Sequence, residues 1–385
     1  MATESSRKSI EPVERIVTDP EIDTPETGIA LCLSGGGYRA MIFHLGALIR
    51  LNELGYLPRL ARISSVSGGS ITAGVLAVNW KNLEFDQNGI AHNFESAVTS
   101  PIRMLADDTV DVNSILRGLL LRGTVSDKVQ AAYQKHLFGH LTLQDIPDSP
   151  RFVFNASNVQ SLALWRFSKP YMRDYRVGEV KNPKIELATA VAASSAFPPF
   201  LSPLELRLDA TAFTPASGLD LQREPFTSRV VLTDGGVYDN LGLETAWKRY
   251  STILVSDGGG AYAPEAEPKH DWARHTFRIL SLIDNQVRSL RKRQLISSYC
   301  RGDRQGAYWG IRTQIADYGL ADSLPCPPNL TTALAQIPTR LEAMKPEQQE
   351  KLINWGYGVC DAAMRKHVVP DAGKPSAFPY PASGI

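Results

Sequence analysis

The chain reads as a three-layer α/β protein with a mainly parallel central sheet, and two observations predict it. Short apolar runs of strand length recur: Ile29 to Leu33, Arg62 to Val66, Phe152 to Ala156, Arg229 to Thr233 and Thr252 to Ser256. Runs of this kind belong in sheets covered on both faces. Helical patterns alternate with them, and strand–helix alternation favours parallel strands joined by helices.

Taken in order, residues 1–27 are polar, with alternating charges and three prolines, and read as a flexible N-terminal arm. The core begins at Gly28 with the strand Ile29 to Leu33. Three glycines follow, then a helical pattern from Tyr38 to Leu54 with Ile42, Leu45, Leu48 and Ile49 at helical spacing, closed by Gly55. Arg62 to Val66 is the second strand and Ser70 to Trp80 the helix after it. Residues 81–150 hold helical patches, Ser114 to Leu121 and Ser126 to His136, with no convincing strand, and read as a helical insertion. Phe152 to Ala156 returns to the sheet, with Leu162 to Phe167 as its hairpin partner. Leu187 to Ser195 is a small-residue helix stopped by Phe197-Pro198-Pro199. The last two strands flank a helix from Leu241 to Tyr250. One main domain thus covers 28–370, with a helical extension from about 261 that includes a long helix from Asp271 to Tyr299. Residues 371–385 are Pro-rich and read as a tail.

The 385 residues are enough for a large core, and 43% hydrophobic with 21% charged residues is ordinary for a soluble globular protein. Net charge is +1, which argues against a global attraction to a nucleic-acid polymer or to anionic lipid. Cys32, Cys300, Cys326 and Cys360 form no C-x-x-C pair, so zinc-ribbon and thioredoxin chemistry are unsupported and a reducing compartment fits. The N-terminus lacks the apolar segment of a secretory signal. The longest apolar stretch, Ile71 to Trp80, is about half of what a bilayer crossing needs. These features lead us to expect a cytoplasmic protein that meets membrane, if at all, peripherally at the inner surface.

Three motifs carry chemistry, each at a strand end. Ser65-Val66-Ser67-Gly68-Gly69 has the form of a nucleophile elbow, in which a serine on a strained strand-to-helix turn is exposed for attack. The plainer reading is a Ser/Gly-rich loop that only caps a helix. Ser34-Gly35-Gly36-Gly37-Tyr38-Arg39-Ala40 places three glycines between strand and helix, where backbone N–H groups can stabilise an oxyanion. A nucleotide phosphate loop is the rival, but G-x-G-x-x-G is matched only in degenerate form and no P-loop lysine follows. Asp234, after the strand RVVLT, supplies a carboxylate; Asp257, after TILVS, is an equivalent candidate by position. Either could be only a turn-forming Asp-Gly. No histidine has a triad context, so a carboxylate is left as the base.

With these residues in view, the chain resembles the patatin-like phospholipase family and the related cytosolic phospholipase A2 catalytic domain. The resemblance rests on SGGGYRA at 34–40, SGGS at 67–70, ATAVAASSAFPPF at 188–200 and DGGVYDNLGLE at 234–244, and covers roughly residues 28–260. It implies a Ser67–Asp234 dyad and selects Asp234 over Asp257. It also implies an oxyanion hole within Gly35, Gly36 and Gly37, with Gly36 and Gly37 as the donors, and an arginine at Arg39 that meets a substrate phosphate. Ser65 departs from the family's pattern, which has glycine there. The implied activity is ester cleavage of glycerophospholipids or lysophospholipids through an acyl-enzyme, with no metal or cofactor.

Two alternatives accompany it: an effector of the bacterial defence or toxin type, activated by a partner or an anionic small molecule, and an inactive lipid-binding scaffold. Two segments are candidates for lipid contact. SILRGLLLRG at 114–123 reads as a lid or as a buried insertion helix. Arg288 to Arg293 is a basic run behind an apolar stripe of Leu280, Ile283, Val287 and Leu290, a stripe expected to pack in the core.

Overall fold

Five parallel strands and one antiparallel strand beside them position the candidate residues. The computed structural model describes residues 26–109, 125–260 and 262–385. Its strands are β1 (Glu26–Leu33), β2 (Leu60–Ser65), β3 (Arg151–Asn158), β4 (Ala163–Phe167), β5 (Tyr171–Asp174), β6 (Gly178–Lys181), β7 (Leu204–Arg207), β8 (Arg229–Asp234), β9 (Tyr250–Asp257) and β10 (Gln305–Gly310). The path β10-β9-β1-β2-β3 is parallel throughout. Beyond β3 the sheet turns antiparallel through β4, β5 and β6, and β8 pairs antiparallel with both β3 and β7.

The helices are α1 (Gly37–Glu53), α2 (Gly68–Asn79), α3 (Ser100–Asp107), α4 (Val125–Tyr133), α5 (Leu187–Ser194), α6 (Gly236–Asp239), α7 (Glu244–Trp247), α8 (Trp272–Arg301), α9 (Pro328–Ala335) and α10 (Pro346–His367). Alternation along β1 builds the layers. Leu31 and Leu33 enter a large core with α1, α2, α5 and α10, while Ala30 and Cys32 enter a smaller one with Leu241, Leu243, Ala246 and Leu295. α1 is buried nearly all round because α10 covers its outer side. The two helices cross at Gly46 and Gly356. A Cβ on Gly46 would sit 2.0 Å from the Ile353 carbonyl oxygen, and one on Gly356 2.0 Å from that of Phe43.

Several elements depart from the sequence reading. The helix expected at Leu241 to Tyr250 is only the short α7. The strands β5, β6, β7 and β10 were not anticipated; three of them have four residues, too few to show a period. The C-terminal stretch read as a tail is tied to α10, because Asn354 Nδ2 donates to the carbonyls of Tyr380 and Gly384 and the Tyr380 N–H returns a bond to Asn354 Oδ1. The segment 114–123 lies outside the described residues.

The stripe on α8 is not core. Leu280 is 57% and Ile283 47% exposed, and the N-terminal half of the helix projects along a cleft. The basic run is not an open anion-binding face either. Arg288 and Lys292 pair with Asp257, and Arg291 pairs with Glu244 and Asp239. These cations anchor α8 to the ends of β9 and α6, leaving Arg293 outside the anchor.

Candidate active site

The sheet explains how distant residues meet. β2 advances along one edge of β3 until Ser65 stands opposite Phe154. β8 advances along the same edge from the other direction until Asp234 stands opposite Ala156. The two strand ends therefore converge on Asn155. The chain leaves β2 through Val66 and Ser67 into α2, and leaves β8 through Asp234 and Gly235 into α6.

Ser67 is the N-cap of α2 and holds φ 52°, ψ −122°. A positive φ on a serine is strained, and such strain persists only where surrounding bonds over-determine it. Here the Ser67 N–H donates to both the carbonyl oxygen and the Oγ of Ser194, at 3.2 and 3.1 Å. The substitution at Ser65 leaves the turn intact. Its buried hydroxyl accepts from Ser70 Oγ at 3.0 Å and lies 3.4 Å from the Val153 carbonyl.

Asp234 is buried, and Oδ1 accepts from the Gly236 N–H at 2.7 Å. Burial pushes its pKa up to about 7, against smaller opposing contributions from Gly236 and Ser67. The Ser67 hydroxyl is thus near enough to favour the carboxylate, yet Oδ2 has no partner at hydrogen-bonding geometry.

Asp257 occupies a different environment. Burial acts to raise its pKa, but Lys292, Arg288 and the Tyr308 hydroxyl outweigh burial and hold it well below the usual carboxylate range. Lys292 lies 3.0 Å and Tyr308 2.8 Å from Oδ2. It is a satisfied ion-pair residue, unsuited to accept a proton near neutrality. His44 is likewise structural. Its ring bonds Ser256 Oγ and the Ser34 carbonyl, and burial pushes its pKa down to about 4.

The glycine turn lies against the elbow. Gly36 and Gly37 take φ 146° and 60°, conformations that suit glycine. Their N–H groups open α1 and find no acceptor among the described residues, as expected at a helix start. The Gly35 N–H is already bonded to the Asn240 carbonyl at 3.0 Å, so Gly35 drops out of the donor set. Arg39 is buried and braces neighbouring loops, Nε to the Gly258 carbonyl and one terminal nitrogen to the Ile337 carbonyl. Its other terminal nitrogen has no partner, and burial lowers the guanidinium pKa to about 10.

These groups line one cleft of about 2330 Å³. Phe197, Phe200, Leu280 and Ile283 also line it. Among the described residues, no group of three His, Cys, Asp or Glu gathers to hold a metal, and no helix is long and apolar enough to cross a membrane.

The model of the patatin-like phospholipase family matches residues 31–247, more than half of the chain and all three motifs. The chain belongs to the patatin-like phospholipase family. No curated protein matches it. Similar solved structures include human GIVD cytosolic phospholipase A2, 15% identical over 67% of this chain and 51% of that one, with a TM-score of 0.40. The same human enzyme in complex with methyl gamma-linolenyl fluorophosphonate and terbium chloride matches 92% of this chain and 59% of its own at 15% identity, with a TM-score of 0.48. VipD from Legionella pneumophila is 16% identical over 89% of this chain and 67% of that one, with a TM-score of 0.39. The chain spans about half the length, 51%, of the first of these phospholipase structures.

The patatin-like family motifs are local in sequence, which is why Ser67, Asp234 and the glycines could be singled out as candidates. Sequence reasoning missed Asn155, Ser194 and Asn240. Asn155 Nδ2 bonds Ser64 Oγ and the Ser65 carbonyl, locking the end of β2. Asn240 supplies the carbonyl that takes the Gly35 N–H. Only the runs SSAFPPF and VYDNLG hinted at Ser194 and Asn240.

Proposed function

We propose that the protein is a serine acyl hydrolase that cleaves fatty-acyl esters of glycerophospholipids or lysophospholipids, with Ser67 as nucleophile and Asp234 as base. One observation carries this reading: a strained serine and a buried carboxylate are delivered to the same residue of β3 by strands running toward each other. Membership of the patatin-like family supports lipid acyl hydrolysis in general.

In the proposed reaction, ionised Asp234 takes the Ser67 proton as Oγ bonds to the ester carbonyl carbon. The Gly36 and Gly37 N–H groups stabilise the resulting oxyanion. Collapse breaks the ester C–O bond, and the departing alkoxide takes the proton from Asp234. Water, deprotonated by Asp234, then attacks the acyl-enzyme; collapse breaks the bond from the acyl carbon to Ser67 Oγ, Ser67 takes the proton back from Asp234, and the fatty acid leaves. A carboxylate with a pKa near 7 is better matched to this work than an ordinary one. The apolar walls of the cleft would receive acyl chain, and the spare Arg39 nitrogen is our candidate for the substrate phosphate. Contact with membrane is then peripheral, through the lipid surface that carries the substrate.

A scaffold without chemistry would gain nothing from a strained Ser67 or a destabilised Asp234. A second reading keeps the same dyad in an enzyme that acts only once an activator or partner binds.

The test is fatty-acid release from mixed phospholipid vesicles by wild type, Ser67→Ala, Asp234→Asn and Asp257→Asn, normalised to folded protein. Release by wild type and Asp257→Asn alone supports the dyad. Equal release by all variants sinks it. A silent wild type that still reacts with a fluorophosphonate at Ser67 supports the activated form.

A further inference from the structure

The residue that joins the two halves of the candidate dyad is Ser194, at the C-terminal end of α5. Its carbonyl oxygen accepts from the Ser67 N–H and from the Gly235 N–H, both at 3.2 Å. Gly235 directly follows Asp234, so one oxygen ties the nucleophile turn to the base turn. Its side chain adds a second tie. Oγ accepts from the Ser67 N–H at 3.1 Å, donates to the Asn155 carbonyl at 2.6 Å and lies 2.8 Å from Ser70 Oγ. Ser194, Ser70 and Asn155 are all buried, so water does not compete for these bonds. A hydroxyl has one proton; given to the Asn155 carbonyl, it leaves an Oγ lone pair for the Ser67 N–H.

We propose that Ser194 is a positioning residue for acyl transfer, its hydroxyl holding the strained Ser67 backbone to Asn155 of β3, the residue beside which Asp234 ends. The inference rests on the serine-hydrolase reading above. Neighbouring Ser195 is the natural comparison. Its Oγ bonds the Val191 carbonyl and the Tyr133 hydroxyl and makes no bond to Ser67.

The experiment is the inactivation of Ser67 by a fluorophosphonate, resolved into a reversible binding constant and a rate constant for bond formation. It needs no knowledge of the natural lipid. For Ser194→Ala we expect the rate constant to fall about 10- to 100-fold, with the binding constant within about twofold, as one lost buried hydrogen bond at the reacting turn implies. Ser195→Ala should react within about threefold of wild type, the scale of an ordinary neutral substitution. Ser194→Cys fills nearly the same volume with a poor acceptor, so it should also be slow, and it carries the test if the alanine variant does not fold. Ser194 variants that react as fast as wild type overturn the inference, as does equal slowing in Ser195→Ala. A wild type that does not react at Ser67 defeats the serine-hydrolase reading itself, and the inference with it.

Discussion

Asp234→Asn should make the protein more stable at pH 8 while abolishing its chemistry. Burial raises the Asp234 pKa from an ordinary 3.8 to about 7. The folded state therefore holds the proton more tightly than the unfolded chain. The stability this contributes is fully present below about pH 4 and is lost as pH rises through about 7. A difference of about three pH units at about 1.4 kcal/mol each comes to about 4 kcal/mol. Asparagine resembles the neutral acid, keeps an acceptor for the Gly236 N–H and does not ionise. Its advantage over wild type should grow from about 2 kcal/mol at pH 5 to about 4 kcal/mol at pH 8. Urea unfolding of both proteins at the two pH values measures it, and subtracting the variants cancels every other titrating group. An advantage that does not change between pH 5 and 8, or a variant less stable than wild type at pH 8, would refute the claim that this carboxylate is held at a cost in its folded environment.

The same ionisation should appear in the chemistry. Reaction of Ser67 with a fluorophosphonate should rise about tenfold per pH unit up to about pH 7 and level off above it, because only ionised Asp234 accepts the proton; a flat profile from pH 5 to 9 removes Asp234 as the base. Arg291→Glu should destabilise the fold by about 3 to 5 kcal/mol, since it replaces the partner of Glu244 and Asp239 with a third carboxylate. Loss of vesicle binding with unchanged thermal stability would instead return Arg291 to the role of a lipid contact.

What the sequence made legible was local. The buried strands announced themselves as apolar runs because both faces of the central sheet are covered. Ser67, Asp234 and the glycines were readable because elbow, turn and strand end are each a few consecutive residues. What it concealed depended on distant partners. The stripe on α8 has helical spacing whether it meets a core or a cleft, and only the fold shows Leu280 facing out. The basic run looked free because Asp239, Glu244 and Asp257, which neutralise it, lie on other turns. Gly35 looked like its neighbours until Asn240 took its N–H. Asp257 matched Asp234 by position; the family motif favoured Asp234, and the cationic partners of Asp257 lie on a distant helix.

Because β2 and β8 end on one edge of β3, the spacing of serine and aspartate is measured along a single strand. Ser65 and Asp234 stand opposite Phe154 and Ala156, about 7 Å apart on a ruler of about 3.3 Å per residue. Apart from α5, whose Ser194 bonds both turns, the intervening chain from the end of β3 to the start of β8 contributes nothing to that measurement. It could lengthen, shorten or be exchanged, provided α5 and the pairings of β2 and β8 with β3 survive. Segments there are therefore free to diversify what enters the cleft, and a chimaera that swaps them can inherit new selectivity without having its nucleophile rebuilt.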